Sequence, residues 1–183
     1  MKHFSLILLA LTAGIFCFGQ PPAPSYAPAD PGSSISFAIK NFGFSVKGSL
    51  TGLRGKISFD PKDLSHAAFD VSVDASTINT DNEMRDGHLK KEDYFDVEHY
   101  PGIRFVSTGV STAGKDGSYV VSGKLTIKKQ TRDLSFPFNV APLGNDYIFS
   151  GTFTINRKDF DIGGSSTISN SLTVSLTVLA KKQ

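Results

Sequence analysis

The side chains of this sequence that could do chemistry are few and poorly spaced for it. Past the first residues the histidines are His66, His88 and His99, none at a ligand spacing from another histidine or a cysteine, so no metal site is expected. Asp81, Glu83, Asp86 and Glu92 have the composition of a calcium loop. Arg85 occupies a ligand position, however, and Gly87 comes one residue late for the turn, which excludes that reading. No glycine-flanked serine elbow exists, and the single cysteine is Cys17, so nucleophilic catalysis has no support. Asp86 and His88, with Arg85 beside them, could form an acid–base pair at the mouth of a cavity. The plainer reading is that Arg85 and Asp86 tie a short helix to its neighbour through charge-assisted bonds while His88 packs locally. Asn156-Arg157-Lys158-Asp159 reads as a strand end followed by a solvated turn. No catalytic residue and no cofactor are therefore expected.

The chain of 183 residues is 39% hydrophobic and 20% charged, ordinary values for one globular domain with a real core. Nineteen basic residues against 17 acidic ones leave a net charge of +2. The two signs are interspersed, so no nucleic-acid partner is expected. Lys2 and His3 precede the apolar run Phe4 to Phe18, which is short of the roughly 20 residues that span a bilayer. Residues 1–19 therefore read as a signal peptide cleaved after Gly19, and the protein is expected in the periplasm or secreted. Cys17 would leave with that segment, so the mature chain must be stable without a disulfide. Pro21, Pro22, Pro24, Pro28 and Pro31 mark residues 20–32 as an extended linker, and the folded domain is expected over 33–183.

From there the pattern is almost entirely period two, as strands with one apolar face require. Ile35, Phe37 and Ile39 begin it; Phe42, Phe44 and Val46, then Ile57 and Phe59, then Phe69, Val71 and Val73 follow, giving four strands before the midpoint. The second half continues with Ile103 and Phe105, Tyr119 to Ile127, Leu134 to Phe138, Tyr147 to Ile155 and Leu172 to Val178. Turn signals such as Gly114-Lys115-Asp116-Gly117 and Gly144-Asn145-Asp146 lie between them. Eight or nine antiparallel strands are expected. Gly48, Gly55, Gly123 and Gly151 fall where bulges or bends would curl a sheet, which favours a closed barrel over a flat sandwich. Pro137 should mark an edge, a bulge or a seam. Thr80-Asp81-Asn82-Glu83 has capping-box spacing and predicts a helix from Asp81 to about Lys90, whose Met84 and Leu89 would cover one barrel end with Tyr94 and Phe95.

What remains is apolar. Of 15 phenylalanines, Phe4, Phe16 and Phe18 fall in the leader, and the other twelve spread over nearly every strand. An eight-stranded barrel is at the size where side chains either fill the interior or leave room for one ligand, and the sequence favours neither.

The order of motifs resembles the YceI-like family of lipocalin-like periplasmic polyisoprenoid-binding proteins, from about Ser34 to Lys182. The most specific stretch is Asn82-Glu83-Met84-Arg85-Asp86-Gly87-His88-Leu89, continuing through Tyr94-Phe95-Asp96-Val97 to Tyr100-Pro101-Gly102-Ile103-Arg104-Phe105. Gly123 to Lys128, Ile155 to Phe160 and Leu172 to Ala180 support it. Three positions depart from the family pattern: Asn41 replaces a histidine, and Lys129 and Asp161 replace glycines. The resemblance implies an all-β fold, an eight-stranded antiparallel lipocalin-like barrel with a short helical cap. It implies a polyisoprenoid ligand, such as a quinone or polyprenyl phosphate, in transport, storage or stress response. Membrane contact for ligand exchange and a homodimer are further partner expectations. The side chains expected to line the interior are Phe37, Ile39, Phe44, Phe69, Val71, Phe105, Leu125, Phe136, Phe138 and Phe153, with Arg85, Asp86 and His88 at the mouth. Two competing readings are an enzyme acting on an isoprenoid lipid through Asp86 and His88, and a packed barrel without ligand that serves as an interaction module.

Overall fold

A sheet with one apolar face must bury it, and antiparallel strands can do so by curling until the first pairs with the last. A computed structural model describes residues 24–164 and 167–183 and shows this solution. Its strands are β1 (Ser25–Asn41), β2 (Phe44–Ser58), β3 (Ala68–Asn79), β4 (Gly102–Thr112), β5 (Ser118–Ile127), β6 (Gln130–Leu143), β7 (Asp146–Asn156) and β8 (Ile168–Lys182). All neighbours are antiparallel, and β1 pairs with β8 from Tyr26↔Lys182 to Asn41↔Ile168 to close the barrel. One helix, α1 (Glu83–Leu89), follows β3, and short 3-10 turns lie at Leu64–His66 and Arg157–Phe160. The expected signal segment and residues 20–23 lie outside the described residues.

Three expectations are corrected. The proline-rich stretch is strand from Ser25 onward: Tyr26 pairs with Ile57 and Lys182, and Pro28 with Ala180. The ladder is irregular between Ala29 and Ser34, and side chains bond there instead. The Asp30 carboxylate accepts from the amides of Gly52 and Leu53 at 3.1 and 2.9 Å, and the Ser33 hydroxyl accepts from the Leu179 amide at 2.9 Å. Prolines therefore cost the strand little here. Next, the apolar groups at Phe44–Val46 and Ile57–Phe59 belong to one strand and its exit, so three strands precede the midpoint. The alternation between them is broken near Gly52, at φ +73°, where the β2–β3 register shifts. Finally, the cap of α1 is Asn82, whose side chain accepts from the Arg85 amide, and the helix begins two residues after Asp81.

The glycines act mainly by making room. A Cβ on Gly48 would lie 2.4 Å from the Phe37 ring, one on Gly123 2.5 Å from the Phe105 ring, and one on Gly151 3.3 Å from the Phe136 ring. Inward rings thus lie flat over bare backbone on the neighbouring strand. Gly123 also borders a register shift, between Ser107 and Gly109, and Gly55, at φ +137°, follows the β2–β3 shift between Thr51 and Arg54; Gly48 and Gly151 sit in regular ladders. Pro137 lies where the β6–β7 ladder, Phe138 to Leu143, stops, as a residue without an N–H requires. Beyond it Phe160 and Ile162 pack with Leu125, Ile127, Leu134 and Ile155 and fill the seam.

The two ends of the barrel differ. At the end where β1 begins, Phe59 is fully buried and meets Tyr119, Phe149 and Tyr147 edge to face at 5.3, 5.4 and 5.7 Å. Phe69 and Phe138 complete an aromatic floor. At the other end Arg157 is buried, and its guanidinium donates to the carbonyls of Ile162 (2.7 Å), Gly163 (3.1 Å), Ser169 (3.0 Å) and Ile168 (3.2 Å). One cation gathers carbonyls from both sides of the connection between β7 and β8. The solvated turn expected for Asn156–Asp159 is therefore corrected at Arg157. Asp161, in a position where the family pattern has glycine, adopts φ +54°, the backbone geometry that glycine would enter without cost.

Three outcomes follow from this packing. Phe59→Ala removes the centre of the floor and should lower unfolding stability by about 3–5 kcal/mol in urea denaturation. Arg157→Met leaves several carbonyls without a donor and should cost about 3 kcal/mol by the same measurement; a loss within about 0.5 kcal/mol would contradict the role assigned to it. His99 Nδ1 lies 2.8 Å from the Asp96 carboxylate, whose hydrogen bond and charge raise the histidine pKa. That pairing stabilises the fold below the ordinary histidine pKa and is lost as pH rises through the raised value. The melting-temperature difference between wild type and His99→Gln should accordingly be largest near about pH 5.5 and shrink as pH rises through the raised histidine pKa.

Candidate functional site

Inward side chains in a packed core have no surface left for solvent; here many keep it. Phe37, Ile39, Phe69, Val71, Phe105 and Phe153 face the barrel axis yet remain only half-buried, because they border a cavity of about 480 Å³ that runs along the barrel. Its wall is hydrocarbon from every strand, including Leu50, Val121, Leu125, Phe136, Val174 and Leu176. The aromatic floor shuts one end, with Phe69, Phe138 and Phe149 presenting their rings to the cavity. At roughly 30 Å³ per water-sized atom the space holds a chain of about sixteen heavy atoms.

Most of the polar groups of the wall gather at the opposite end, the mouth, where Asn41, Thr80, Asn82, Arg85, His88 and Arg157 line it. Their arrangement follows from α1. Thr80, at the end of β3, is buried; Arg85 donates to its hydroxyl through Nε at 2.7 Å and to its carbonyl through Nη2 at 2.6 Å. Asp86 accepts from the Thr80 amide at 2.9 Å and from the Thr80 hydroxyl. Arg85 and Asp86 thus lock the helix onto the strand it follows. Met84, Leu89, Tyr94 and Phe95 cover part of the opening.

Of the ten side chains expected to line the interior, nine border the cavity: Phe37, Ile39, Phe69, Val71, Phe105, Leu125, Phe136, Phe138 and Phe153. Phe44 does not, and the expectation is corrected. It has the same strand phase as Val46, which lines the cavity, but it is the first residue of β2, paired with Asn41 at the very tip of the β1–β2 hairpin. Phe44 therefore stands above the rim and is 77% exposed. Arg85 and His88 line the mouth, whereas Asp86 points to Thr80 and does not. Asp86 and His88 share no hydrogen bond among the described residues, so the acid–base pair of the competing reading is not assembled. Among the same residues no group of three or more His, Cys, Asp or Glu side chains is placed to hold a metal ion.

Sequence reasoning missed Arg157, although the signal was present: Phe153, Ile155 and Arg157 continue one alternating phase, which carries the guanidinium inward. It likewise omitted the β8 wall of Leu172, Val174, Leu176 and Val178, where the same rule applies.

Comparison with known proteins agrees with this architecture. The chain is 30% identical over 186 residues to a UPF0312 protein of Pseudomonas syringae pv. tomato, covering 97% of this chain and 96% of that protein. It is 31% identical over 183 residues to a UPF0312 protein of Pseudomonas fluorescens, covering 91% and 92%. Among solved structures, BcnA of Burkholderia cenocepacia superposes with a TM-score of 0.80 at 24% identity, over 84% of this chain and 99% of that one. A polyisoprenoid binding domain from Saccharophagus degradans, implicated in plant cell wall breakdown, gives 0.72 at 15% identity, over 87% and 99%. The model of the YceI-like domain matches residues 26–180, and the chain belongs to that family.

Proposed function

We propose that this protein is an exported carrier that holds a polyisoprenoid, such as a quinone or a polyprenyl phosphate, or a similar long apolar lipid, in transport or storage, and that it is a binding protein rather than an enzyme. The observation that carries the reading is the hydrocarbon-walled cavity, closed by aromatic rings at one end and edged by polar groups at the other. Such a space suits an amphiphile that enters tail first. The tail lies against Phe138 and Phe149, and the head group stays near His88 and Arg85. Burying methylenes contributes about 0.8 kcal/mol each, so a tail of about fifteen carbons gains roughly 12 kcal/mol before the cost of association. Polar contacts need only orient the head. About three isoprene units fill the cavity by the same volume estimate, and a longer chain must fold back or emerge at the mouth. The family and the neighbour named for polyisoprenoid binding support the ligand class. Lys2, His3 and the apolar run Phe4–Phe18 support export.

Protein purified from a native-like bacterial host without detergent, extracted with organic solvent and examined by mass spectrometry, should release an isoprenoid lipid in near-stoichiometric amount. Val71→Trp, which fills the cavity from β3, should reduce that yield at least about tenfold while leaving the far-ultraviolet circular dichroism of the barrel unchanged. An extract free of lipid from the wild-type protein, or equal yields from both proteins, would end this reading.

A further inference from the structure

The tip of the β1–β2 hairpin, tied to Thr167 by the Phe42 amide and the Asn41 side chain, holds a bulky apolar residue in a strained backbone conformation. Its turn is Asn41-Phe42-Gly43-Phe44, with φ +49° at Phe42 and +82° at Gly43. Both central residues are left-handed, as a two-residue hairpin turn of the primed type demands. Gly43 fits that geometry. At the first central position Asn, Asp or Gly is the usual occupant, because a bulky side chain is disfavoured there. Phe42 is nonetheless a ring, and burial does not compensate it: Phe42 is 74% exposed and Phe44 77%. A strained backbone that presents an apolar side chain to solvent points to a role outside the fold.

Position and charge say what role. Phe44 rises above the rim of the mouth, next to Asn41, which lines the cavity. Met84 is 77% exposed and also lines the cavity, so exposed apolar side chains border the opening on both the hairpin and α1. Behind the tip are Lys40 and Lys47, both exposed. From Pro31 to Phe59 every ionisable side chain is basic, and the flanking strand from Ile168 to Leu179 has none. Asp81 and Glu83 precede Met84 and are exposed, while Arg85 after it is held by Thr80, so the exposed cationic character at the rim is local to the hairpin.

We propose that the hairpin tip, Phe42 and Phe44 backed by Lys40 and Lys47, is a membrane-docking surface. The two rings enter the interfacial layer of a bilayer and the lysines meet anionic lipid head groups. The mouth is thereby brought against the membrane, and a hydrocarbon chain passes between bilayer and cavity without crossing bulk water. This deepens the carrier reading and rests on it.

The test is flotation with vesicles of phosphatidylethanolamine and phosphatidylglycerol, and with vesicles of phosphatidylcholine alone, alongside binding of farnesol as a short soluble probe of the cavity. Wild type and variants are prepared in the same form, so that any contribution of Phe4–Phe18 is common to all. Wild type should float with the anionic vesicles. Phe42→Asn with Phe44→Ser should bind them at least about tenfold more weakly, melt no lower than wild type because asparagine suits the turn, and keep its farnesol affinity. Lys40→Gln with Lys47→Gln should remove most of the preference for anionic over neutral vesicles. Equal flotation of wild type and the aromatic variant would overturn the proposal. So would a wild type that ignores both kinds of vesicle, or a dimer in solution that the aromatic variant breaks, which would assign the tip to a second copy of the chain. A wild type that floats but does not bind farnesol would instead count against the carrier reading, so the two failures are distinguishable.

Discussion

An apolar wall that curves back on itself must either fill its own interior or shelter something there. Closure of β1 on β8 sets that condition for this protein, and the side chains do not meet it by filling. The rings of Phe37, Phe105 and Phe136 lie over Gly48, Gly123 and Gly151, against the wall and away from the axis. Bulkier residues at those three positions would push the rings into the centre. The hollow is therefore written into the pairing of aromatic and glycine on adjacent strands. A stable water-filled cavity lined by hydrocarbon is unfavourable, and that free energy is what a bound hydrocarbon would recover.

The asymmetry of the ends gives this hollow a direction. Rigid edge-to-face packing around Phe59 seals one end with aromatic rings. The mouth is held by two hydrogen-bonded devices, Thr80 with Arg85 and Asp86, and Arg157 with the carbonyls of the β7–β8 turn. Charged groups at the opening are thus mostly committed to shaping it. Their commitment explains why a motif rich in Arg, Asp and His need not be catalytic: Asp86, the only carboxylate that could have served His88 within α1 besides Glu83, is already bound to Thr80.

Strand alternation makes most of this legible in the sequence. Phase assigns a side chain to the inside or the outside, and it did so for nine of the ten expected wall residues. Phase says nothing of height along the barrel, which depends on the stagger between neighbouring strands. Phe44 has the inward phase but sits at the tip of the β1–β2 hairpin, opposite Asn41, a height that its phase does not reveal. The proline-rich start misled for a related reason. Where its ladder breaks, Asp30 and Ser33 accept from amides of residues far away in sequence, and composition cannot show a partner. Thr80 has the spacing of a cap, but its hydroxyl is engaged by Arg85 and Asp86 and Asn82 caps the helix instead. Arg157 was readable by phase alone and was obscured by its charge.

The central claim is that the barrel interior is occupied by hydrocarbon. Electron density along the barrel axis, in crystals grown from protein isolated without organic solvent, addresses it most directly. The account predicts one continuous ribbon of density from the His88 and Arg157 rim to the rings of Phe138 and Phe149. An interior holding only discrete water peaks, or one collapsed until its side chains touch across the axis, would contradict it.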